Sequence, residues 1–264
     1  MLKRIFIISL LFFNGVSMAD EIRVAVASNF THALGALAEQ FESQTGHSVV
    51  LIVGSTGQHY AQIKNGAPFD AFFAADTVRP QLLDAEGVAL PGTRFTYATG
   101  RLVLWSPEGS HLESAQDLLQ QGEFRFLAIA NPKLAPYGEA AREVLQAQGV
   151  WDEMRGKMVL GQNIGQTYQF VKSQSAELGF VAYSQLSTLE GDIPGAFWEV
   201  PQSLYTPIQQ QAVLLTENKV AREFWQYVKG YNAQQIIRMH GYETPQETAL
   251  ISWTQQIAND GIHF

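Results

Sequence analysis

Four short segments of the sequence combine an apolar, strand-like run, a small polar residue and the start of a helical pattern. They are Ser28-Asn29, Ser55-Thr56, Pro136-Tyr137-Gly138 and Asn163-Ile164-Gly165. The first N–H groups of a helix have no partner within the helix, and the helix dipole adds partial positive charge there. Each segment could therefore bind an anion through neutral donors, without any charged side chain.

Glycines accompany these segments at positions 54, 57, 138 and 165, where they would let the backbone approach a ligand closely. If the four helix starts converged across a cleft, about seven hydrogen bonds could bind a dianion, and charge-assisted bonds are about twice as strong as neutral ones. Ser and Asn are also preferred N-cap residues of any helix, so an ordinary capping role stays open at each segment.

The residues that could catalyse a reaction fit no catalytic motif. The glycines of residues 54–57 have the wrong spacing for a Gly-x-Ser-x-Gly nucleophile elbow, and no Gly-Lys-Ser/Thr ends the segment as in a P-loop. The six histidines are scattered and form no His-x-x-x-His pair. We therefore expect no catalytic residue, no cofactor and no enzyme. The alternative is an exported hydrolase or lyase that uses Asp70, Asp76 or His59.

The first 19 residues have the three-part layout of a secretory signal peptide. Lys3 and Arg4 precede an apolar stretch over residues 5–16, and Ser17-Met18-Ala19 has the small-x-small pattern of a cleavage site. About a dozen apolar residues are too few to cross a bilayer, which takes roughly 20. We expect cleavage after Ala19, a periplasmic location and a mature protein that is not embedded in the membrane.

The chain is acidic, with 17 basic residues, 25 acidic residues and a net charge of −8, which falls to −10 when Lys3 and Arg4 are removed. Sequence-independent nucleic-acid binding depends on Lys and Arg, so nucleic acid is not expected as a partner. An anion would not be attracted by the overall field and would need local donors. The chain has no Cys, which excludes disulfides, thiolate catalysis and Cys-ligated zinc.

Strand-like and helical patterns alternate along the chain. Strands are predicted at residues 22–27, 48–53 and 69–74, with helical patterns between them, and further strands at 97–105 and 211–215. This spacing is typical of βαβ units on a mainly parallel sheet, so the fold class is α/β. About 245 mature residues are enough for two lobes.

Taken in order, eight segments resemble the periplasmic molybdate-binding proteins of ABC importers, a branch of the type II periplasmic-binding-protein fold. The resemblance covers nearly the whole mature chain. The segments are VAVASNF (24–30), GSTGQ (54–58), YAQIKNGAPFD (60–70), FAAD (73–76), YATGRLVLWS (97–106), NPKLAPYG (131–138), GQNI (161–164) and AELGFVA (176–182).

The resemblance implies a two-lobed fold, in which each lobe is a mainly parallel sheet flanked by helices and the ligand lies in the cleft between the lobes. Residues 20–98 and 206–264 would form lobe one, and residues 99–205 lobe two. The ligand would be molybdate or tungstate, bound by closure of the lobes. The partner would be the membrane permease of an ABC importer, and the protein would be a monomer.

Carried over position by position, the resemblance implies that Ser28 or Asn29 and Ser55 donate from lobe one. Tyr137 and the backbone N–H of Ile164 would donate from lobe two, and all five would contact oxygens of molybdate rather than the metal. Thr56, Asn163 and Tyr183 would support the site or have no fixed role.

Some family members place a tyrosine in a Gly-x-Val-Tyr strand, where this chain has Ala182 and then Tyr183. A shift of one residue turns a strand side chain to the opposite face, so Tyr137 is the predicted phenolic donor. Within binding proteins, the alternative ligand is sulfate or another oxyanion. Phosphate is partly protonated near neutral pH and would need an acceptor, which the predicted donors do not supply.

Overall fold

The computed structural model describes residues 19–108, 115–187 and 191–245. The expected signal peptide, apart from Ala19, and residues 246–264 of the expected lobe one lie outside these ranges. Within the described ranges, no helix combines the length and the apolar character that are needed to cross a membrane.

The described residues form ten strands and ten α-helices that alternate along much of the chain. The strands are β1 (Glu21–Ala27), β2 (Ser48–Gly54), β3 (Ala71–Ala74), β4 (Phe95–Gly100), β5 (Leu102–Ser106), β6 (Leu127–Ala130), β7 (Met158–Gly161), β8 (Leu178–Ala182), β9 (Ala196–Glu199) and β10 (Ile208–Leu214). The helices are α1 (Thr31–Thr45), α2 (Thr56–Lys64), α3 (Val78–Ala85), α4 (Ala115–Gln121), α5 (Pro136–Ala147), α6 (Trp151–Met154), α7 (Ile164–Lys172), α8 (Tyr183–Leu186), α9 (Lys219–Lys229) and α10 (Tyr231–Met239).

Local sequence accounts for where these helices begin and end, as α1 illustrates. Leu34, Leu37, Ala38 and Phe41 recur at helical spacing, and all four are buried on the face toward the sheet. Gly46 follows with a φ of 76°, and its N–H donates to the Glu42 carbonyl. Glycine adopts this left-handed conformation without a steric penalty, so the helix ends there.

The strands form two five-stranded sheets. Sheet one has the order β2-β1-β3-β10-β4, in which β1 pairs in parallel with β2 and β3, and β10 pairs antiparallel with β3 and β4. Sheet two has the order β7-β6-β8-β5-β9, in which β6 pairs in parallel with β7 and β8, and β5 pairs antiparallel with β8 and β9. The α/β class is confirmed, and both sheets are mixed.

Residues 97–105, predicted as one strand, form parts of two strands in different sheets. β4 ends at Gly100 in sheet one, and β5 begins at Leu102 in sheet two, with only Arg101 between them. The prediction of a single strand is wrong because apolar residues continue on both sides of the break. The chain returns to sheet one between β9 and β10. The predicted boundary after residue 98 falls within β4, and the division into two lobes stays a prediction.

Helices cover both faces of each sheet, which gives each sheet two apolar layers. On one face of sheet one, Val24 and Phe73 pack with Leu34 of α1 and Phe224 of α9. On its other face, residues of α2 and α3 pack on Phe72 and its neighbours. Sheet two is covered in the same way. Burial of one such side chain stabilises the folded state by about 1.5–3 kcal/mol. Because many are buried on both faces, the loops that follow the strands are attached to well-packed layers.

Candidate functional site

The helix starts singled out by the sequence meet at one small cavity between the two sheets. They follow the carboxyl ends of parallel strands, where ligands bind in open α/β sheets. The cavity is small, about 10 Å³ in volume, which excludes a large organic ligand. Its lining residues are Ala27, Ser28, Asn29, Gly54, Ser55, Thr56, Ala75, Ala135, Pro136, Tyr137, Asn163 and Ile164.

All five predicted donors line this cavity, together with Thr56 and Asn163, whereas Tyr183 does not. Tyr183 begins α8, and its ring stacks against the guanidinium of Arg101, whose Cζ lies 3.9 Å from the ring centroid. The one-residue shift after Ala182 therefore places this phenol outside the cavity lining. The roles of the lining residues as ligand contacts stay predictions.

Ser28 and Asn29 form a single turn of 3-10 helix between β1 and α1. Ser28 Oγ accepts the N–H of Gly165 at 3.1 Å, so the hydroxyl hydrogen of Ser28 is left to donate elsewhere. Asn29 Nδ2 donates to Gln210 Oε1 at 2.8 Å and to Tyr242 Oη at 3.0 Å. Asn29 Oδ1 is buried without a hydrogen-bond partner among the described residues.

Ser55 is the N-cap of α2 and is 2 % exposed. Its Oγ accepts the N–H of Gln58 at 3.3 Å, which leaves the hydroxyl hydrogen available to a ligand. The Oγ of the neighbouring Thr56 accepts the N–H of Ala75 at 2.9 Å. Thr56 therefore ties α2 to the end of β3, while Ser55 is free to donate.

Tyr137 lies in the first turn of α5, directly after Pro136, and is 1 % exposed. Proline suits this position because its fixed φ matches a helix start and its missing N–H is not needed. Tyr137 Oη accepts Gln210 Nε2 at 3.3 Å. Burial raises the pKa of the phenol well above 10, with smaller effects from Tyr242 and Tyr205. Tyr137 therefore stays protonated and is a donor at any physiological pH.

Ile164 is the first residue of α7, and the side chain of Asn163 caps this helix by accepting the N–H of Gln166 at 2.9 Å. A residue in this position has no acceptor for its own N–H within the helix. The buried isoleucine side chain has no polar atom, so Ile164 can contribute only its backbone N–H.

Hydrogen bonds cross directly between the two sides of the cavity. The Gly165 N–H donates to Ser28 Oγ, and the Gly57 N–H donates to the Leu134 carbonyl at 2.8 Å. On the Asn29 side, Ser184 Oγ donates to the Asn29 carbonyl at 3.3 Å. These contacts join loops of sheet one to loops of sheet two, so the structure is in a closed arrangement.

The cavity is electrically neutral, because none of its described lining residues is Asp, Glu, Lys, Arg or His. The part of the chain that the structure describes also contains no group of three or more His, Cys, Asp or Glu residues that could bind a metal ion. The site thus presents mainly hydroxyl and N–H donors, and Asn29 Oδ1, on one of its lining residues, is an acceptor without a partner among the described residues. Such a set matches a ligand that only accepts hydrogen bonds.

The three candidates for catalysis have other contacts and lie outside this lining. Asp70 accepts the N–H of Arg23 at 2.8 Å, and Asp76 accepts the N–H of Arg79 at 3.0 Å at the start of α3. His59 is buried, with Nε2 3.2 Å from the Val26 carbonyl. Burial lowers its pKa below 6.5, an effect that hydrogen bonding opposes. Nothing in this arrangement brings the three together.

A larger groove of about 610 Å³ lies next to the cavity and shares Ala75 and Pro136 with it. Its lining includes both acidic and basic side chains, among them Asp76, Arg79 and Glu139. A groove of mixed charge selects a small anion less well than a cavity made of donors. The smaller cavity is therefore the candidate site.

Sequence reasoning missed a buried polar cluster behind the cavity. Gln210 has no exposed surface and contacts Asn29, Tyr97 and Tyr137, while Tyr242 Oη donates to the Asn29 carbonyl at 2.7 Å. Three consecutive glutamines, at 209–211, stand in a strand that is otherwise mostly apolar. Because side chains alternate between the two faces of a strand, Gln210 is buried while Gln209 is exposed. A run of glutamines in this apolar strand was the sequence feature that could have indicated a buried polar residue.

Comparison with known proteins gives a consistent result. A family model described as bacterial extracellular solute-binding protein matches residues 22–243. The molybdate-binding protein ModA of Azotobacter vinelandii is 45% identical over 229 residues, which is 86% of this chain and 91% of that protein. The molybdate-binding protein ModA of Rhodobacter capsulatus is 44% identical over 229 residues, which is 86% of this chain and 89% of that protein.

A solved structure, the periplasmic molybdate-binding protein of Azotobacter vinelandii, superimposes with a TM-score of 0.81 at 42% identity, covering 85% of this chain and 99% of that one. The expectation of a binding protein rather than an enzyme is confirmed by these relatives. Because the family model matches residues 22–243, the chain belongs to the bacterial extracellular solute-binding proteins.

Proposed function

We propose that this chain captures molybdate or tungstate between two lobes outside the cytoplasmic membrane and delivers it to the permease of an ABC importer. One observation carries the proposal: residues with hydroxyl and N–H groups, attached to both sheets, line a neutral cavity in a chain whose relatives are named molybdate-binding proteins. The lobes would be residues 20–98 with 206–264, and residues 99–205.

The donors suit a fully deprotonated tetrahedral dianion. Ser28 and Ser55 would donate hydroxyl hydrogens from lobe one, while Tyr137 and the N–H of Ile164 would donate from lobe two. A dianion that bridges both sets stabilises the closed form, because its contacts are complete only there. Sulfate has the same charge and shape, so the size of the cavity would distinguish it from molybdate.

Asn29 bears on the discrimination against phosphate. Its Oδ1 is a buried acceptor without a described partner, and a protonated oxyanion could donate to it. Molybdate and sulfate, which carry no proton near neutral pH, would gain nothing from this oxygen. The affinity for phosphate relative to sulfate therefore measures whether Asn29 Oδ1 faces the ligand.

Thermal unfolding of the mature protein, residues 20–264, with each of four oxyanions tests the ligand. A ligand at about 1,000 times its Kd stabilises a protein by roughly 4 kcal/mol. We expect a large upward shift in Tm with molybdate and tungstate, and little shift with sulfate or phosphate. Equal shifts with all four oxyanions, or no shift with any, would contradict the proposal.

Export and transport are proposed together with the ligand. The family is extracellular, and the layout of the first 19 residues supports a signal peptide that is cleaved before Asp20. Mass spectrometry of protein from the periplasm should find Asp20 at the N-terminus. Light scattering should find a monomer, and a permease ATPase should respond to the loaded protein more than to the empty one.

A further inference from the structure

Gln210 connects residues of the candidate site that belong to different sheets. It lies in β10 of sheet one, beside an irregularity in the pairing with β4. Its Oε1 accepts Asn29 Nδ2 at 2.8 Å and lies 3.0 Å from Tyr97 Oη, and its Nε2 donates to Tyr137 Oη at 3.3 Å. A buried glutamine with all these contacts is part of a hydrogen-bond network and does not merely fill space in the core.

The hydrogen bonds of this network lead from Asn29 through Gln210 to Tyr137. The Tyr242 hydroxyl donates to the Asn29 carbonyl, and Asn29 Nδ2 donates to Tyr242 Oη and Gln210 Oε1. Gln210 Nε2 then donates to Tyr137 Oη. Since a phenol has one hydrogen, and its oxygen here already accepts, the Tyr137 hydrogen must point away from Gln210.

The opposite orientation of the Gln210 amide is disfavoured by its neighbours. Turning it over would place Nε2 beside Asn29 Nδ2, so that two donors would face each other. The same rotation would bring Oε1 to Tyr137, where it would accept the phenolic hydrogen and remove it from the cavity. With Asn29 Nδ2 facing Gln210, Asn29 therefore fixes the orientation of the Gln210 amide, and Gln210 in turn fixes Tyr137.

We infer that Gln210 is a positioning residue of the oxyanion site, whose amide directs the Tyr137 O–H into the cavity and ties it to the Asn29 turn of the other sheet. This inference rests on the proposed function. It assigns to Gln210 a role in binding without direct contact to the ligand.

The backbone supports the contact between Gln210 and Tyr137. A Cβ at Gly100 would overlap Tyr137 Oη and lie 2.7 Å from Gln210 Nε2. The missing side chain of Gly100 thus provides the space in which the two side chains meet. Gly100→Ala should displace Tyr137 and Gln210 from each other, although both side chains keep their functional groups.

Isothermal titration of the mature protein with molybdate at pH 8 tests the inference through a double-mutant cycle. Gln210→Met keeps the length of the side chain but removes the amide, and we expect binding about tenfold weaker. Tyr137→Phe should weaken binding by about 10- to 100-fold. In the Tyr137→Phe protein, Gln210→Met should weaken molybdate binding by less than about a further twofold, because the effect of Gln210 acts through the phenol of Tyr137.

A pH profile distinguishes positioning from a purely structural role. In Gln210→Glu, the carboxylate at pH 8 would accept the Tyr137 hydrogen and repel the dianion, and we expect a loss above about 100-fold. When protonated, the new group has one O–H that can replace the amide's donor to Tyr137 and one carbonyl oxygen that can accept from Asn29, so binding should recover at least about tenfold at pH 6 relative to wild type.

The groups that face this position are the phenols of Tyr97, Tyr137 and Tyr242, whose pKa values burial raises. Arg101 and Asp76 are charged groups whose fields reach these phenols. Gln209→Glu is the matched control, because Gln209 is exposed in the same strand. It should bind within about twofold of wild type at both pH values.

Several outcomes would overturn the inference. Gln210→Met could bind as tightly as wild type, its effect could be unchanged in the Tyr137→Phe protein, or the Gln210→Glu defect could be the same at both pH values. Gly100→Ala with wild-type affinity would also contradict it. Thermal unfolding of each ligand-free variant checks folding.

Failure of the proposed function gives a different result. If wild type binds sulfate or phosphate in place of molybdate, the proposed ligand is wrong, and the same cycle is measured with the anion that binds. If wild type binds none of the four oxyanions, the inference falls together with the proposed function.

Discussion

Each hydroxyl predicted to donate to the ligand already accepts a hydrogen bond from the protein. Ser28 accepts from Gly165, Ser55 from Gln58 and Tyr137 from Gln210. In the closed arrangement these bonds restrict where each hydroxyl hydrogen can point. The Ser55 bond is local to the start of α2 and forms without closure, so Ser55 loses little freedom on binding, whereas the bonds to Ser28 and Tyr137 join the two sheets.

Ser55 should affect both affinity and stability, because it is a predicted donor and also a helix cap. Ser55→Ala should weaken molybdate binding by about 1.5–3 kcal/mol and lower the free energy of unfolding by about 1 kcal/mol. Asn218→Ala is the matched control, since Asn218 caps α9 outside the cavity lining. It should lose stability while calorimetry finds its affinity unchanged, and equal affinity losses in both variants would count against a donor role for Ser55.

Burial of His59 should make stability depend on pH. Because its pKa in the folded protein lies below 6.5, the unfolded chain binds more protons in that range, and stability falls as the pH drops below about 6.5. Denaturant unfolding between pH 8 and pH 5 should show a smaller loss in His59→Gln than in wild type. His32→Gln, at an exposed position of α1, should lose as much unfolding free energy between pH 8 and pH 5 as wild type does. The same loss in all three proteins would contradict this account.

At the scale of elements, the start of α5 is held tightly against the end of β6. A Cβ at Gly138 would overlap the Ala130 carbonyl, which belongs to the backbone and cannot move aside easily. The helix start that carries Tyr137 is therefore placed by direct contact with sheet two.

Gly138→Ala should displace this helix start and weaken molybdate binding at least about tenfold, with a stability loss of about 1–3 kcal/mol. Gly35→Ala in α1 is the control, because a Cβ there meets no atom within 4 Å. Alanine should leave affinity unchanged and raise stability by up to about 1 kcal/mol. Calorimetry and denaturant unfolding measure both quantities, and a Gly138→Ala protein with normal affinity would refute the role given to this contact.

The helix starts could be predicted because each is a local pattern of strand, polar cap and helix. The cluster around Gln210 could not, because its members come from distant parts of the chain: Gln210 is 181 residues from Asn29 and 113 from Tyr97. The break after Gly100 escaped prediction for a related reason. The residues that require a glycine there, Tyr137 and Gln210, are brought to it only by the fold.

At the scale of the whole molecule, the closed arrangement relies on backbone groups that face across the cavity. The N–H groups of Gly57 and Gly165 both donate to the opposite side. Opening of the lobes would expose both groups to water, so their hydrogen exchange reports closure directly.

Molybdate should therefore slow exchange at the Gly57 and Gly165 amides. The Gly46 amide, which donates to Glu42 at the end of α1, should exchange at the same rate with and without ligand. Hydrogen exchange followed by NMR measures all three, and small-angle scattering should show a smaller radius of gyration with molybdate. Unchanged exchange at both glycines in a protein that binds molybdate would argue against closure.

The single residue between β4 and β5 determines the form that such an opening can take. Adjacent strands lie about 4.8 Å apart, so the turn at Ser28 and the start of α7, each three strands from this link, lie roughly 14 Å from it. The Cα atoms of Gly100 and Leu102 can be at most about 7 Å apart, so the sheets cannot slide far past each other at Arg101 and an opening would rotate about it. Such a rotation opens the widest gap at the residues farthest from Arg101. On closure, the hydrogen bond between Gly165 and Ser28 is therefore among the last contacts to form.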